Sequence, residues 1–378
     1  MVSAFLSHGQ GDNKGRLQVF HSQGSNNLLN DANWGTFDSG YRMSGFKWDE
    51  VFVPWQGGKV TTGLEQTAVS GRISGPHVGA AVGTPFAFGT AGATAIPTFR
   101  VTSAFAGLGQ TVVMANGWVL EPSAGVRLYN SNVYGNKAAP QMGVTLSRDN
   151  LTVYAQAARG VLYPGAETYT LTRAIPMAFA ANNGWNTLSP SLLTHTELGV
   201  QWAVNANAHV DISVFRDKVS DRYTWSGFTP LATGVWSNNF PAYHVSGLET
   251  SVRQDLGQGW SGFLGLTLLR PSLSNLPYAP RTAVSVGANG RIGGYRLAVD
   301  AQYQTAMFSL TQDRGTFNPN NVPGFTVANA RVSKPVPALG RQAEVYLALN
   351  NLFNSAYAYN AGYPMPGRTL RVGLIAGF

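Results

Sequence analysis

Tyr295-Arg-Leu-Ala-Val-Asp-Ala-Gln-Tyr303 is the stretch on which the fold turns. Its side chains separate by parity. Tyr295, Leu297, Val299, Ala301 and Tyr303 fall on one face, and Arg296, Ala298, Asp300 and Gln302 on the other. Successive strand side chains point to opposite sides, so the segment reads as a strand with one apolar and one polar face. The first face suits lipid and the second a watery lumen. The tyrosines at its ends suit a membrane boundary, where amphipathic rings gather. Working outward, Ala343, Val345, Leu347 and Leu349 alternate with Gln342, Glu344, Tyr346, Ala348 and Asn350. The chain end repeats this, with Leu370, Val372, Leu374, Ala376 and Phe378 opposite Thr369, Arg371 and Gly373. Helical spacing is not sustained anywhere.

The connections also alternate. Short ones read as tight turns at 9–14, 54–58, 115–117, 147–150, 205–208, 255–259, 292–294 and 335–340. Between them lie longer segments at 24–38, 74–97, 131–138, 162–190, 226–240, 270–279, 309–323 and 353–367. A soluble sandwich has no reason to put every long loop at one end, whereas outer-membrane barrels have short periplasmic turns and long extracellular loops. The expected fold is therefore all-β, a transmembrane antiparallel up-and-down β-barrel with about 17 strands present.

Composition bounds the alternatives. No run approaches the roughly 18–20 consecutive apolar residues of a membrane helix, yet a mean hydropathy of −0.06 suits strands that are half apolar and half polar. Only 12% of residues are charged, about half the usual soluble share; a secreted all-β domain is the alternative for such a composition. The absence of Cys excludes disulfides, cysteine zinc sites and thiol nucleophiles. A net charge of +8 favours anionic ligands or anionic lipid headgroups. Lys and Arg form no basic run, so no nucleic-acid partner is expected. The opening MVSAFLSHGQ has no basic region followed by an apolar one, so no signal peptide is read there.

Several stretches resemble the barrel of the TonB-dependent outer-membrane receptors for siderophores and cobalamin. They are Pro122-Ser-Ala-Gly-Val-Arg-Leu-Tyr129, Asn150-Leu-Thr-Val-Tyr-Ala-Gln-Ala-Ala-Arg-Gly160, Thr196-Glu-Leu-Gly-Val-Gln-Trp202 and Val214-Phe-Arg-Asp-Lys-Val-Ser-Asp-Arg222. Val245-Ser-Gly-Leu-Glu249 follows, then Asn350-Asn-Leu-Phe-Asn354 with Pro366-Gly-Arg-Thr-Leu370 and the terminal Phe378. Their order and spacing run from about residue 58 to 378; residues 1–57 rest on alternation alone. The resemblance implies a barrel of the 22-stranded type in the bacterial outer membrane. It also implies a plug domain of about 150 residues, placed before the barrel and carrying the TonB box, of which these residues hold nothing. Residues 1–378 are thus expected to be an N-terminally truncated barrel that meets TonB only through that missing plug. Counting back from a periplasmic C-terminus makes residues 2–8 a downward strand, which matches the sixth strand of such a barrel.

No enzyme constellation emerges. His195 and Glu197 share a strand face, where a lumen hydrogen-bond network is the expected role and a metal site lacks its third ligand. Glu249 and Arg253 share the lumen face too, and Gly83–Gly92 has no following helix or Lys to make a phosphate loop. No cofactor or metal is expected. The candidate ligand-binding surface is the extracellular loops. Loop 162–190 carries Tyr163, Tyr169, Arg173, Phe179 and Trp185. Loop 226–240 carries Phe228, Trp236 and Phe240, with Trp225 at its edge. Loop 353–367 carries Phe353, Tyr357, Tyr359 and Tyr363, and 24–38 adds Trp34 and Phe37. Aromatic faces with a few cations, Arg173 first, suit a large rigid chelate such as a ferric siderophore; the same aromatics would also anchor a lipid interface. The rival is a plugless porin of about 16–18 strands, which needs an inward loop lined by opposed charges. Loop 162–190 offers only Glu167 and Arg173 for that purpose.

Overall fold

The computed structural model describes residues 1–31, 35–76, 91–165, 168, 187–225, 236–237, 240–313, 316–339 and 343–376. Its large sheet has 18 members. One, Val112–Val113, is only two residues long, which leaves 17 wall strands, the number the alternation suggested. In chain order they are β1 (Val2–Gln10), β2 (Asn13–Asp31), β3 (Gly35–Phe52), β4 (Gly58–Pro76), β5 (Ala91–Gln110) and β6 (Val119–Ser131). Then come β7 (Gly135–Arg148), β8 (Leu151–Leu162), β9 (Ser191–Asn205), β10 (Ala208–Ser220), β11 (Tyr243–Gly257) and β12 (Trp260–Pro271). The wall ends with β13 (Thr282–Ile292), β14 (Tyr295–Gln304), β15 (Phe325–Pro335), β16 (Glu344–Asn350) and β17 (Thr369–Ile375). Each pairs antiparallel with the next, and among the described residues no ladder joins β1 to β17. Among the described residues no helix is long and apolar enough to cross a membrane.

The turn chemistry explains the short end. Ile292 faces Tyr295 across a two-residue loop whose glycines have φ +54 and +81. A type I′ hairpin turn needs positive φ at both central positions, which glycine adopts without a Cβ penalty. The long end differs from expectation in kind. Segment 24–38 is mostly ladder, since β2 and β3 stay paired up to Asp31 opposite Gly35. A strand of 19 residues spans about 60 Å, far more than the oil layer needs, so its upper half stands clear of the membrane. Segment 131–138 is corrected to a tight link, because β6 ends at Ser131 and β7 begins at Gly135. Segment 309–323 lies within a second small hairpin, Met307–Asp313 against Thr316–Val322.

Register decides what each face carries. Leu6, Leu17, Trp48, Leu64 and Leu128 line up, through Ala104, in one cross-strand row, and all five are exposed. Val144, Leu198, Val214 and Leu268 do the same farther round. An apolar face this continuous marks a surface made for lipid. The opposite face holds Arg127 with Glu65, and Arg296 and Arg331 with Glu344, so charge is satisfied toward the lumen.

Lumen aromatics share one further pattern. Phe20, Tyr41, Phe105, Tyr154, Phe215, Phe263 and Tyr346 each stand directly opposite a glycine: Gly45, Gly24, Gly63, Gly199, Gly247, Gly287 and Gly373. A Cβ at Gly199 would sit 2.3 Å from Tyr154 Cζ. The glycine is what lets the ring lie flat across the neighbouring strand, shielding backbone that would otherwise face the lumen.

Candidate functional site

Two neighbouring pieces of the extracellular half form the best-defined site. The first is an aromatic trio above β14 and β15. The Phe325 ring lies 4.9 Å from Tyr357 and 5.3 Å from Tyr359, which are 5.7 Å from each other. Tyr359 OH donates to Gln302 Oε1 at 3.1 Å. Phe325 is buried, while Tyr359 is 42% exposed, so the trio has an anchored base and an open edge. Burial, then Tyr357, raises the Tyr359 phenol above its ordinary pKa and keeps it a donor.

The loop that delivers these tyrosines is fixed by Asn351, which has φ +53 and is 2% exposed. Its Nδ2 donates to the carbonyls of Ser355 and Pro366 at 2.9 and 3.3 Å, and its Oδ1 accepts from the Ser355 amide at 2.8 Å. Asn354 Oδ1 accepts from the Arg368 amide at 2.8 Å. Asparagine tolerates the left-handed region and closes turns through its own amide. The Asn-Asn-Leu-Phe-Asn run is therefore a loop clamp.

The second piece is a lumen cavity of about 690 Å³, lined by Tyr154, Glu197, Asp211, Glu249 and Ser285, and by Gln302 and Phe325. Phe325 is a member of the trio and Gln302 accepts the Tyr359 hydrogen bond, so the rim and the cavity are continuous. Glu197 of its wall lies 3.2 Å, through Oε2, from His195 Nε2, and His195 Nδ1 sits 2.7 Å from Asp217 Oδ1. Tyr154 OH and Gln156 Nε2 both donate to Glu197, the former at 2.9 Å. Glu197 is saturated by these partners, as a lumen network requires. Among the described residues no group of three or more His, Cys, Asp or Glu could hold a metal ion.

Other sequence candidates fall elsewhere. Tyr163 OH donates to the Gly135 carbonyl at 3.2 Å, and its ring packs 6.0 Å from Tyr129 and 6.5 Å from Tyr134. Burial raises its pKa. Phe240 lies under Arg222, whose guanidinium carbon is 4.9 Å from the ring and whose Nη1 donates to Tyr243 OH at 2.8 Å. Trp225 and Trp236 are cross-strand neighbours in a two-residue ladder. Tyr169, Arg173 and Trp185 lie outside the described residues, as do Trp34, Phe179 and Phe228. Sequence reading missed Phe325, Gln302 and Arg222. Phe325 and Gln302 lie on strands, where only register reveals that they meet a loop; Arg222 stands just before a loop and meets Phe240 and Tyr243 across 18 and 21 residues, a spacing no local pattern encodes.

A wall with an apolar outer face, a charged inner face and a loop-decorated rim defines a membrane-spanning receptor-type β-barrel. Residues 4–352 match the family model described as TonB dependent receptor-like, beta-barrel, and the chain belongs to that family. The match reaches back through residues 4–57, where only alternation had spoken. The family is one of receptor barrels rather than enzymes. No curated protein matches the chain.

Solved structures share the fold. A mutant of the ferric enterobactin receptor PfeA from Pseudomonas aeruginosa is similar, with 16% identity, a TM-score of 0.70, and coverage of 100% of this chain and 61% of that one. The siderophore receptor PirA from Acinetobacter baumannii matches with 14% identity and a TM-score of 0.69, covering 98% and 61%. The copper transporter OprC matches with 16% identity and a TM-score of 0.69, covering 95% and 63%. The chain thus spans about three fifths of the length of these structures.

Proposed function

We propose that this chain is the wall of a TonB-dependent outer-membrane transporter for a large chelate such as a ferric siderophore, coupled to TonB through a plug on its N-terminal side. The observation that carries the reading is the continuity of the Phe325–Tyr357–Tyr359 rim with the polar cavity beneath it. Aromatic faces bind a flat, rigid chelate with little loss of side-chain entropy, since each ring has few rotatable bonds. The relatives named for enterobactin and siderophores support this class of ligand. The cavity itself presents the carboxylates of Asp211 and Glu249. It therefore disfavours a highly anionic complex, and a neutral or cationic chelate suits it better.

The test is a titration of the purified protein with ferric trihydroxamate and ferric tricatecholate chelates, followed by quenching of tryptophan emission. Saturable micromolar or tighter binding is expected, preferring the trihydroxamate and weakened at least tenfold by Tyr357→Ala/Tyr359→Ala. Binding of neither chelate, with steady ion conductance in planar bilayers, would replace the receptor with a passive channel.

A further inference from the structure

Cations on the outer face of β8 to β12 are arranged as a site of their own. One cross-strand row reads Arg159, Thr194, Lys218 and His244. The next reads Thr196, Arg216, Ser246 and Arg270. Parity fixes their direction, because the intervening His195 and Asp217 bond to each other toward the lumen. Val214 and Leu268, two residues below Arg216 and Arg270, belong to the apolar belt. Arg159, Arg216, Lys218 and Arg270 are all exposed, and none has an ion-pair partner among the described residues. The carboxylates of the same strands, Glu197, Asp211, Asp217, Glu249 and Asp255, share the opposite parity.

We infer that this patch binds the phosphate-bearing headgroup of an anionic lipid in the outer leaflet; the inference rests on reading the chain as an outer-membrane barrel. Cations on alternate strands stand about 10 Å apart, and successive rows about 7 Å. Side chains of this length converge across such gaps, and guanidinium pairs with phosphate in a bidentate fork. The threonine and serine hydroxyls between the cations supply further donors. Two observations choose a lipid over a soluble anion. The patch borders the belt of Leu198, Val214 and Leu268, along which acyl chains lie. At the periplasmic end the same face carries Val153, Trp202, Val210 and Val252, and none of its residues there is Lys or Arg. The charge is thus confined to one side of the bilayer.

The protein, extracted in dodecyl maltoside from the membranes of cells that make it, is titrated with a fluorescent bisphosphorylated glucosamine lipid (lipid A). The same lipid stripped of phosphate, and inorganic phosphate as competitor, form the other arms. The phosphorylated lipid is expected to bind at least tenfold more tightly than the stripped one. The variant Arg159→Gln/Arg216→Gln/Lys218→Gln/Arg270→Gln is expected to lose at least tenfold, while Arg159→Lys/Arg216→Lys/Lys218→Arg/Arg270→Lys stays within threefold of the parent. Equal binding of the stripped lipid, or a glutamine variant within twofold of the parent, overturns the site. Displacement of the lipid by millimolar phosphate also overturns it, marking a soluble-anion site. Faster migration of unheated samples on detergent gels reports the folded barrel separately. Its absence from the parent protein would sink the barrel reading, and its presence in the glutamine variant excludes misfolding as the cause of lost binding.

Discussion

Gly199→Ala is expected to change sign with its neighbour. Gly199 has no positive φ, so an alanine backbone is tolerated there; on its own the change should stabilise by about 0.5 kcal/mol through a less flexible unfolded chain. The obstacle is Tyr154, whose Cζ and OH would lie 2.3 and 2.4 Å from the new Cβ. Those atoms are the far end of a side chain that is free to swing. Swinging breaks the 2.9 Å bond to Glu197 Oε1. A hydrogen bond to a carboxylate contributes about 1.5–3 kcal/mol; lumen water replaces part of it, so about 1.5 kcal/mol is lost. Adding about 0.5 kcal/mol for the ring's packing and subtracting the entropy gain leaves Gly199→Ala destabilising by about 1.5 kcal/mol. In a Tyr154→Ala background the same change is stabilising by about 0.5 kcal/mol, a coupling of about 2 kcal/mol. Urea unfolding in lipid vesicles, followed by tryptophan emission, measures all four corners. Additivity within about 0.5 kcal/mol would refute the claim that lumen glycines exist to seat rings.

Three further outcomes are expected. Glu344→Gln removes the carboxylate shared by Arg296 and Arg331 and lowers the urea midpoint by an amount worth about 1 kcal/mol, the discounted figure for half-exposed arginines; an unchanged midpoint counts against the network. Asn351→Ala removes the side-chain bonds to the Ser355 and Pro366 carbonyls and strains a positive φ, costing about 2–3 kcal/mol locally. Protease should then cut 353–367 faster, with Asn351→Gly intermediate, and equal rates for all three would dismiss the clamp. Tyr359→Phe should weaken chelate binding about threefold by freeing Gln302. Because the raised phenol pKa keeps the hydroxyl protonated, the parent's contribution from this bond is complete below pH 10 and falls only above it; a break near pH 7 in binding would contradict this.

The wall was legible because lipid and water impose opposite demands on adjacent residues. Tyr295–Tyr303 announces both faces by itself, and Arg296 and Asp300 do bond toward the lumen, to Glu344 and Asn329. Strand number followed from punctuation alone. The rim was only half legible. Composition alone points to Tyr357 and Tyr359, and they do meet, but Phe325 joins them across 32 and 34 residues, a separation that no local pattern encodes. Tyr163 rests on the same composition, and its partners are Gly135, Tyr129 and Tyr134 rather than the trio. An aromatic in a loop signals that something is covered, without saying whether ligand or backbone lies beneath. Segments 131–138 and 24–38 differ from the loops expected there because polar residues above the oil layer read as loop even where the ladder continues.

The net charge of +8 is the datum most easily misread. Taken as a bulk property it suggests an anion-binding interior, yet the lumen cavity displays Glu197, Asp211 and Glu249. Much of the excess sits outside, in Arg159, Arg216, Lys218 and Arg270. A charge on the lipid face costs about 2–4 kcal/mol at mid-bilayer and nearly nothing at its boundary. Arg216 and Arg270 stand one row beyond Val214 and Leu268, and Arg159 and Lys218 two rows beyond, where that cost has vanished. Solubility alone would scatter them and mix in acids, as ordinary surfaces do. Their one-sided placement ties the sign of the chain's charge to one rim of the outer face, and says nothing of the lumen, whose cavity is lined by carboxylates.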